Sequence, residues 1–284
     1  MTFQKVALIV PTPDLPMVRG RKFHLTLSHL MEDEKYRSFY LNESIDGSFI
    51  ILDNSAHEHE VGQRAEIILT DAIKVRASEI VCTDALFDGE RTVELTTAAL
   101  DYFLAYGEEA FATLKPRLMI VPQGKTIEEY TSCLNGLLKA LDDRVGKLQM
   151  LGCSGLTFGL SKDYEMFEGG LPKVLGEDIL PAIKGLQFEL HLLGWGRKLW
   201  ELIDLFYHFG NQIRSVDSAK PIVYGLSNLE LDPTRGFVPP YPKRSKDFFE
   251  LPIKQSQLLS VWHNISILEG IAQGAFPEVT NDQM

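Results

Sequence analysis

Several short apolar runs in this chain lead into residues that can do acid–base or nucleophilic chemistry. Phe49–Asp53 runs into Asn54-Ser55-Ala56-His57-Glu58, and Glu79–Thr83 runs into Asp84. Arg117–Val121 leads to Pro122-Gln123-Gly124, and Lys147–Leu151 leads to Gly152-Cys153-Ser154-Gly155. Phe188–Leu193 carries His191 and stops at Gly194, and Ile213–Val216 leads to Asp217-Ser218. Three aspartates and a glutamine thus stand at the ends of apolar runs. Two carboxylates facing one substrate divide labour, one as nucleophile and one as acid or base. Such a pair suits displacement at an anomeric carbon, where a carboxylate traps an oxocarbenium-like transition state. A third carboxylate beside a glutamine amide suits the polar edge of a purine-like base, since together they accept and donate. A single aspartate after a strand also serves as a helix N-cap; three at run ends weigh toward a site.

The elements that must position these residues follow from the same pattern. With Val6–Val10 and Phe23–Ser28 there are eight apolar runs. Several are continuous hydrophobics, as in parallel strands buried on both faces. Helical spacing occupies about 58–76, 90–111, 126–142, 170–184 and 197–209. Repeated βα units give a doubly wound sheet or a (β/α)8 barrel, and eight runs favour the barrel. The expectation is one α/β domain over residues 1–284, a (β/α)8 TIM barrel with its core at 6–225. A proline-rich excursion at 228–252 and a C-terminal helix at 255–273 follow. In such a barrel the chemistry collects at the carboxyl ends of the strands. The three aspartates and the glutamine would then meet on one face.

Composition narrows the classes. The chain has 284 residues, 45% hydrophobic and 24% charged, the averages of a globular protein. No apolar run approaches the ~20 residues that span a bilayer, and the first residues, broken by Pro11 and Pro13, lack a signal-peptide pattern. Three dispersed cysteines point to a reducing compartment, so the expected location is cytoplasmic. The net charge of −11 excludes a general nucleic-acid coat protein, which would neutralise phosphates along its whole surface. Nucleic-acid contact would have to be local. Lys243, Arg244 and Lys246, beside Tyr241, are the candidates for gripping phosphate and stacking on a base.

Other polar residues carry weaker readings. His57 and His59 are two apart, which turns them to opposite sides of a strand and ~200° apart on a helix, so a shared metal is disfavoured and no metal site is expected. His29 and His191 are pocket candidates near strand ends. Cys153 lacks a paired base, and Trp195, Trp200 and Trp262 read as core or interface.

In order, these motifs resemble the queuine/archaeosine tRNA-guanine transglycosylase superfamily. Leu52-Asp53-Asn54-Ser55-Ala56 stands where that family has Asp-Ser-Gly-Gly, and Cys82-Thr83-Asp84 resembles its base-reading aspartate. Val121-Pro122-Gln123-Gly124 resembles Val-Gln-Gly, and Gly152-Cys153-Ser154-Gly155-Leu156 resembles the glycine-rich loop. His191-Leu192-Leu193-Gly194 resembles Leu-Leu-Gly, and Arg214-Ser215-Val216-Asp217-Ser218 falls at the nucleophilic aspartate. The likeness covers roughly residues 20–225. It implies a pentosyltransferase with Asp217 as nucleophile and Asp53 as general acid and base. Asp84, Gln123, Gly155, Leu156, His191 and Gly194 would bind the base.

The departures refine it. No cysteine follows Cys153, so the three cysteine ligands of the tRNA-acting members' zinc site are lacking, and their appended RNA-binding domain is not expected here. The chain therefore resembles most the compact phage and bacterial branch that replaces guanine in DNA with a 7-deazaguanine. The implied partners are DNA and the free 7-deazaguanine base, with no membrane and no cofactor; a homodimer or a protein partner is compatible. If phage-encoded, it would act in host cytoplasm. The competing readings are a transglycosylase acting on tRNA, a non-catalytic deazaguanine-binding barrel and a glycoside hydrolase.

Overall fold

A computed structural model describes residues 5–161, 175–183, 188–195, 199–210, 212–232 and 242–274. Among them, eight strands form one sheet: β1 Lys5–Leu8, β2 Phe23–Leu27, β3 Phe49–Asp53, β4 Glu79–Val81, β5 Arg117–Ile120, β6 Gly155–Ser161, β7 Phe188–Leu193 and β8 Ile213–Ser218. Their order in the sheet is β1-β8-β7-β6-β5-β4-β3-β2. Every register described, β1 on β8 and β2 through β6 in sequence, is parallel. The helices are α1 Glu34–Ile45, α2 Ala56–His59, α3 Ala65–Val75, α4 Gly89–Tyr106, α5 Glu108–Leu114, α6 Ile127–Asp142, α7 Val145–Leu151, α8 Leu180–Ile183, α9 Leu199–Phe209, α10 Lys220–Leu226 and α11 Leu258–Ala272. The architecture is a (β/α)8 barrel with a C-terminal helix. Packing divides the chain into two compact units, residues 1–19 with 191–284 and residues 20–190.

In the second unit, β2 and β4 are buried along their whole length, the pattern of strands covered on both faces. The helices around them begin on side-chain caps. The Asp88 carboxylate accepts from the Arg91 amide at 2.9 Å ahead of α4, and Thr126 Oγ1 accepts from the Glu129 amide at 3.2 Å ahead of α6. These bonds satisfy donors that a first turn otherwise leaves orphaned. Helix α6 buries Tyr130, Cys133, Leu134, Leu137 and Leu141, a single stripe at helical spacing.

Two elements depart from the sequence expectation. Lys147–Leu151, taken as the sixth strand, lies in α7, which Gly152 ends at φ 114°. The strand is Gly155–Ser161. A five-residue apolar run is compatible with either a buried helix turn or a strand, whereas Gly155 and Gly159 give the real strand the look of a loop. Between β2 and β3 the chain forms α1, where no helix was expected. Its buried stripe of Tyr36, Phe39, Tyr40 and Glu43 includes a carboxylate and so hides its period. After β1, Thr12–Val18 makes only 3-10 turns, because Pro16, inside the segment, lacks the donor that an α-helix would use there.

In the first unit, α11 fits the expected C-terminal helix and packs on α10 and β1. The proline-rich excursion is described from residue 242 onward, and 233–241, with Tyr241, lie outside the described residues. Its end is fastened to the segment after β1: Thr12 N donates to Phe249 O at 3.0 Å, and Ile253 N donates to the Asp14 carboxylate at 2.8 Å. Among the described residues no helix is long and apolar enough to cross a membrane.

The contact of α10 with α11 depends on Gly225. A β-carbon there would lie 2.7 Å from Val261 Cα, against backbone that cannot swing aside. Gly225→Ala should therefore destabilise the fold by about 1–3 kcal/mol, the usual result of overpacking, read as a lower urea midpoint with an unchanged m-value.

Candidate functional site

In the second unit the ends of β3, β4 and β5 are tied together through one carboxylate. Asn54 Nδ2 donates to Asp84 Oδ1 at 2.6 Å and to the Cys82 carbonyl at 2.6 Å. Gln123 Nε2 donates to Asp84 Oδ2, also at 2.6 Å. Asn54 Oδ1 accepts from the Ala56 amide at 2.8 Å, and Gln123 Oε1 accepts from the Phe87 amide at 3.3 Å. All three side chains are buried. Both hydrogens of the Asn54 amide are therefore committed, whereas Gln123 keeps one for a ligand. Burial outweighs the two amide bonds at Asp84 and pushes its carboxyl up to about 6. Asp84 and Gln123 are brought together as expected, but they face each other through a direct bond.

Asp53, the last residue of β3, is half-buried, and its Oδ2 accepts from the Ser55 amide at 2.9 Å. Ser55 is fully buried at φ 64°, a left-handed backbone for a residue with a side chain. Ser55 Oγ lies 3.2 Å from the His29 amide, which donates to it, and 2.9 Å from His29 Nδ1. His29 therefore belongs to the support of this turn. Where the resembled family has glycine, the conformation persists here because three polar contacts hold it.

In the first unit Asp217 lies on β8, 2% exposed. Its Oδ1 receives the Gly194 amide at 3.0 Å and lies 3.1 Å from His191 Nε2. Gly194, at φ 67°, turns the chain at the end of β7 so that its N–H meets the carboxylate. His191 has no exposed surface, and its Nδ1 is 2.7 Å from Ser215 Oγ. Among the described residues no donor reaches Asp217 Oδ2. One carboxylate oxygen is thus fixed by two partners and the other is open, an arrangement suited to nucleophilic attack or proton abstraction.

The remaining candidates fall elsewhere. Gly155 and Leu156 open β6, level with Arg117 and Leu118 at the start of β5. They therefore sit at the amino end of the sheet, remote from Asp84 and Gln123 at the carboxyl end, and the Leu156 carbonyl is taken by Arg117 Nη2 at 2.8 Å. The expectation that they line a base pocket is corrected by the shift of the sixth strand. The glycine near the carboxyl end of β6 is Gly159, just beyond the Phe158–Ile120 pair. His191 and Gly194 bond Asp217, and His191 has no exposed surface.

Lys243 and Lys246 are exposed, whereas the Arg244 guanidinium stacks 5.2 Å from the Phe249 ring centre and 5.8 Å from that of Phe248. His57 and His59 fall on the short helix α2, where both are exposed. Burial pushes the Cys153 thiol up, away from thiolate chemistry. Asn54 and Ser215 were not singled out in the sequence. Asn54 had no signal beyond adjacency to Asp53, but Ser215 lies two residues before Asp217, the spacing that puts strand side chains on one face.

No family model matches the chain, and no curated protein matches it.

The raised carboxyl of Asp84 has a defined consequence for stability. Its folded value of about 6 lies above the unfolded carboxylate value near 3.8. The stabilisation is therefore complete below about pH 4 and is lost as pH rises through about 6. Asp84→Asn removes this titration. Urea unfolding should show the variant gaining about 2 kcal/mol on the wild type between pH 4.5 and pH 7. A difference that does not move with pH would place the titration elsewhere.

Proposed function

We propose that this protein is a base-exchange transglycosylase that replaces guanine in DNA with a 7-deazaguanine derivative. The observation that carries the reading is Asp217, a buried carboxylate with one oxygen fixed by Gly194 and His191 and the other open. A glycosyl-aspartate mechanism needs an oxygen held in one direction and not engaged by donors. The order of motifs along the chain supports the same class.

In the first step Asp217 Oδ2 attacks C1′ of the target nucleotide from the face opposite the base. The C1′–O bond forms as the C1′–N9 bond breaks, and guanine departs with a proton supplied by Asp53. In the second step Asp53 takes a proton from the incoming deazaguanine, whose nitrogen displaces Asp217 from C1′. Two inversions give net retention. No energy source is consumed, because one glycosidic bond replaces another. Asp84 with the remaining Gln123 amide hydrogen reads the polar edge of the base.

The target base must leave a duplex to be reached, so flipped or single-stranded DNA is the substrate form. Exposed Lys243 and Lys246 supply local positive charge for phosphate on a surface that is otherwise acidic. Arg244, occupied with two phenylalanine rings, shapes that loop.

The test is exchange of labelled guanine into single-stranded DNA, duplex DNA and unmodified tRNA by the purified protein. Label should enter DNA, and denaturing gels should trap a protein–DNA adduct. Asp217→Asn should lower exchange by at least about 10³-fold and abolish the adduct, consistent with loss of a covalent nucleophile. Label in tRNA alone would move the substrate class, and no label in any nucleic acid would overturn the reading.

A further inference from the structure

We infer that His191 is a positioning residue for Asp217, locked in one tautomer by a polar relay that begins at Arg214. The inference rests on the reading of Asp217 as nucleophile, but its central claim concerns a proton whose place can be measured without substrate.

The relay is a chain of three contacts. Arg214 Nε lies 3.0 Å from Ser215 Oγ, Ser215 Oγ lies 2.7 Å from His191 Nδ1, and His191 Nε2 lies 3.1 Å from Asp217 Oδ1. A guanidinium has no acceptor, so Arg214 donates to the hydroxyl. The serine proton is then available for His191 Nδ1, which accepts it on its lone pair. That places the ring's own proton on Nε2, aimed at the carboxylate. The alternative is an imidazolium donating from both nitrogens. Ser215 Oγ would then receive two donors, Arg214 Nε and His191 Nδ1, and its own proton would leave the relay.

Geometry makes the relay compact. Ser215 and Asp217 are two apart on β8 and share a face, and β7 is the neighbouring strand that carries His191. With both Gly194 N–H and His191 Nε2–H on Oδ1, the carboxylate cannot rotate without breaking two bonds. Oδ2 therefore stays the attacking oxygen, and a neutral ring on Oδ1 leaves the charge of the carboxylate unshared. An imidazolium in its place would spread that charge into an ion pair and weaken the nucleophile.

The tautomer is read by 15N NMR of histidine-labelled full-length protein at neutral pH, with His191 assigned from the spectrum of His191→Gln. The expected resonances are those of a neutral ring protonated at Nε2. Ser215→Ala, which removes the donor to Nδ1, should move the Nδ1 resonance toward that of an unbonded ring nitrogen while the Asp217 carboxylate keeps the proton on Nε2. A ring protonated at Nδ1, or an imidazolium, would overturn the relay whatever the enzyme does.

The positioning role is read in exchange kinetics. His191→Phe should lower kcat about 100-fold, the usual loss for one oriented donor, with KM for the free base within about threefold. His191→Gln, whose side-chain amide can reach Oδ1, should recover activity to within about tenfold of wild type. Equal losses in the two variants at unchanged melting temperature would overturn the donor role. If the wild type exchanges no base, the transglycosylase reading fails, and the NMR result alone then decides the relay.

Discussion

The carboxylate of Asp84 is the constraint around which the second unit is arranged. A carboxylate without partners in a protein interior costs several kcal/mol, and Asp84 sits just beyond the short, wholly buried strand β4. Two amides answer it, one from each neighbouring strand end, Asn54 after β3 and Gln123 after β5. Each charge-assisted bond contributes about 1.5–3 kcal/mol, and even together they do not cancel the desolvation, since the carboxyl still titrates near 6. The result is a staple that sets three strand ends at fixed spacing and remains poised between two protonation states. Asn54 also accepts from the Ala56 amide, so the same residue shapes the turn that carries Asp53 and Ser55.

The first unit handles a buried carboxylate differently. Asp217 receives its partners on one oxygen only, the Gly194 amide and His191 Nε2. Asp84 is shared symmetrically between two amides, which suits a structural and base-reading part. Asp217 is held asymmetrically, which suits attack. The two aspartates look alike in the sequence, each following an apolar run, and differ in how their oxygens are bonded.

Much of this was legible beforehand, for a physical reason. Parallel strands buried on both faces are written as unbroken apolar runs, so β2, β3, β5 and β7 could be located from residue types alone, and the barrel followed from their number. The sixth strand was not, because its two glycines dilute the run while the adjacent helix α7 ends in Lys147–Leu151, which imitates one. That single displacement carried Gly155 and Leu156 to the wrong end of the sheet. Helix α1 was missed because Glu43, a buried carboxylate, occupies a position of its apolar stripe. The aspartates and Gln123 were legible as candidates; Asn54, the partner of Asp84, was not, since a hydrogen bond between residues 30 apart leaves no local trace.

The polar groups at the amino end of the second unit show what buried charge looks like when it serves the fold. The Arg117 side chain donates to Thr157 Oγ1 at 3.3 Å and to the Leu156 carbonyl at 2.8 Å, and it pairs with Glu189 at 3.2 Å. His24 lies 2.8 Å from the Arg21 carbonyl and 3.3 Å from Glu43, which also accepts from the Gly20 amide. Burial holds the His24 ring below its ordinary value, so the ring favours the neutral form and no proton is kept ready there. The bonds of Arg117 and His24 tie neighbouring segments together at that end. At the carboxyl end Gln123 keeps an amide hydrogen, Asp84 titrates near neutrality, and the turn after Asp53 holds a left-handed serine. Left-handed residues also stand at the amino end, where Arg76 and Lys115 end the helices before β4 and β5, so what sets the carboxyl end apart is the amide-bonded carboxylate of Asp84 and not backbone strain.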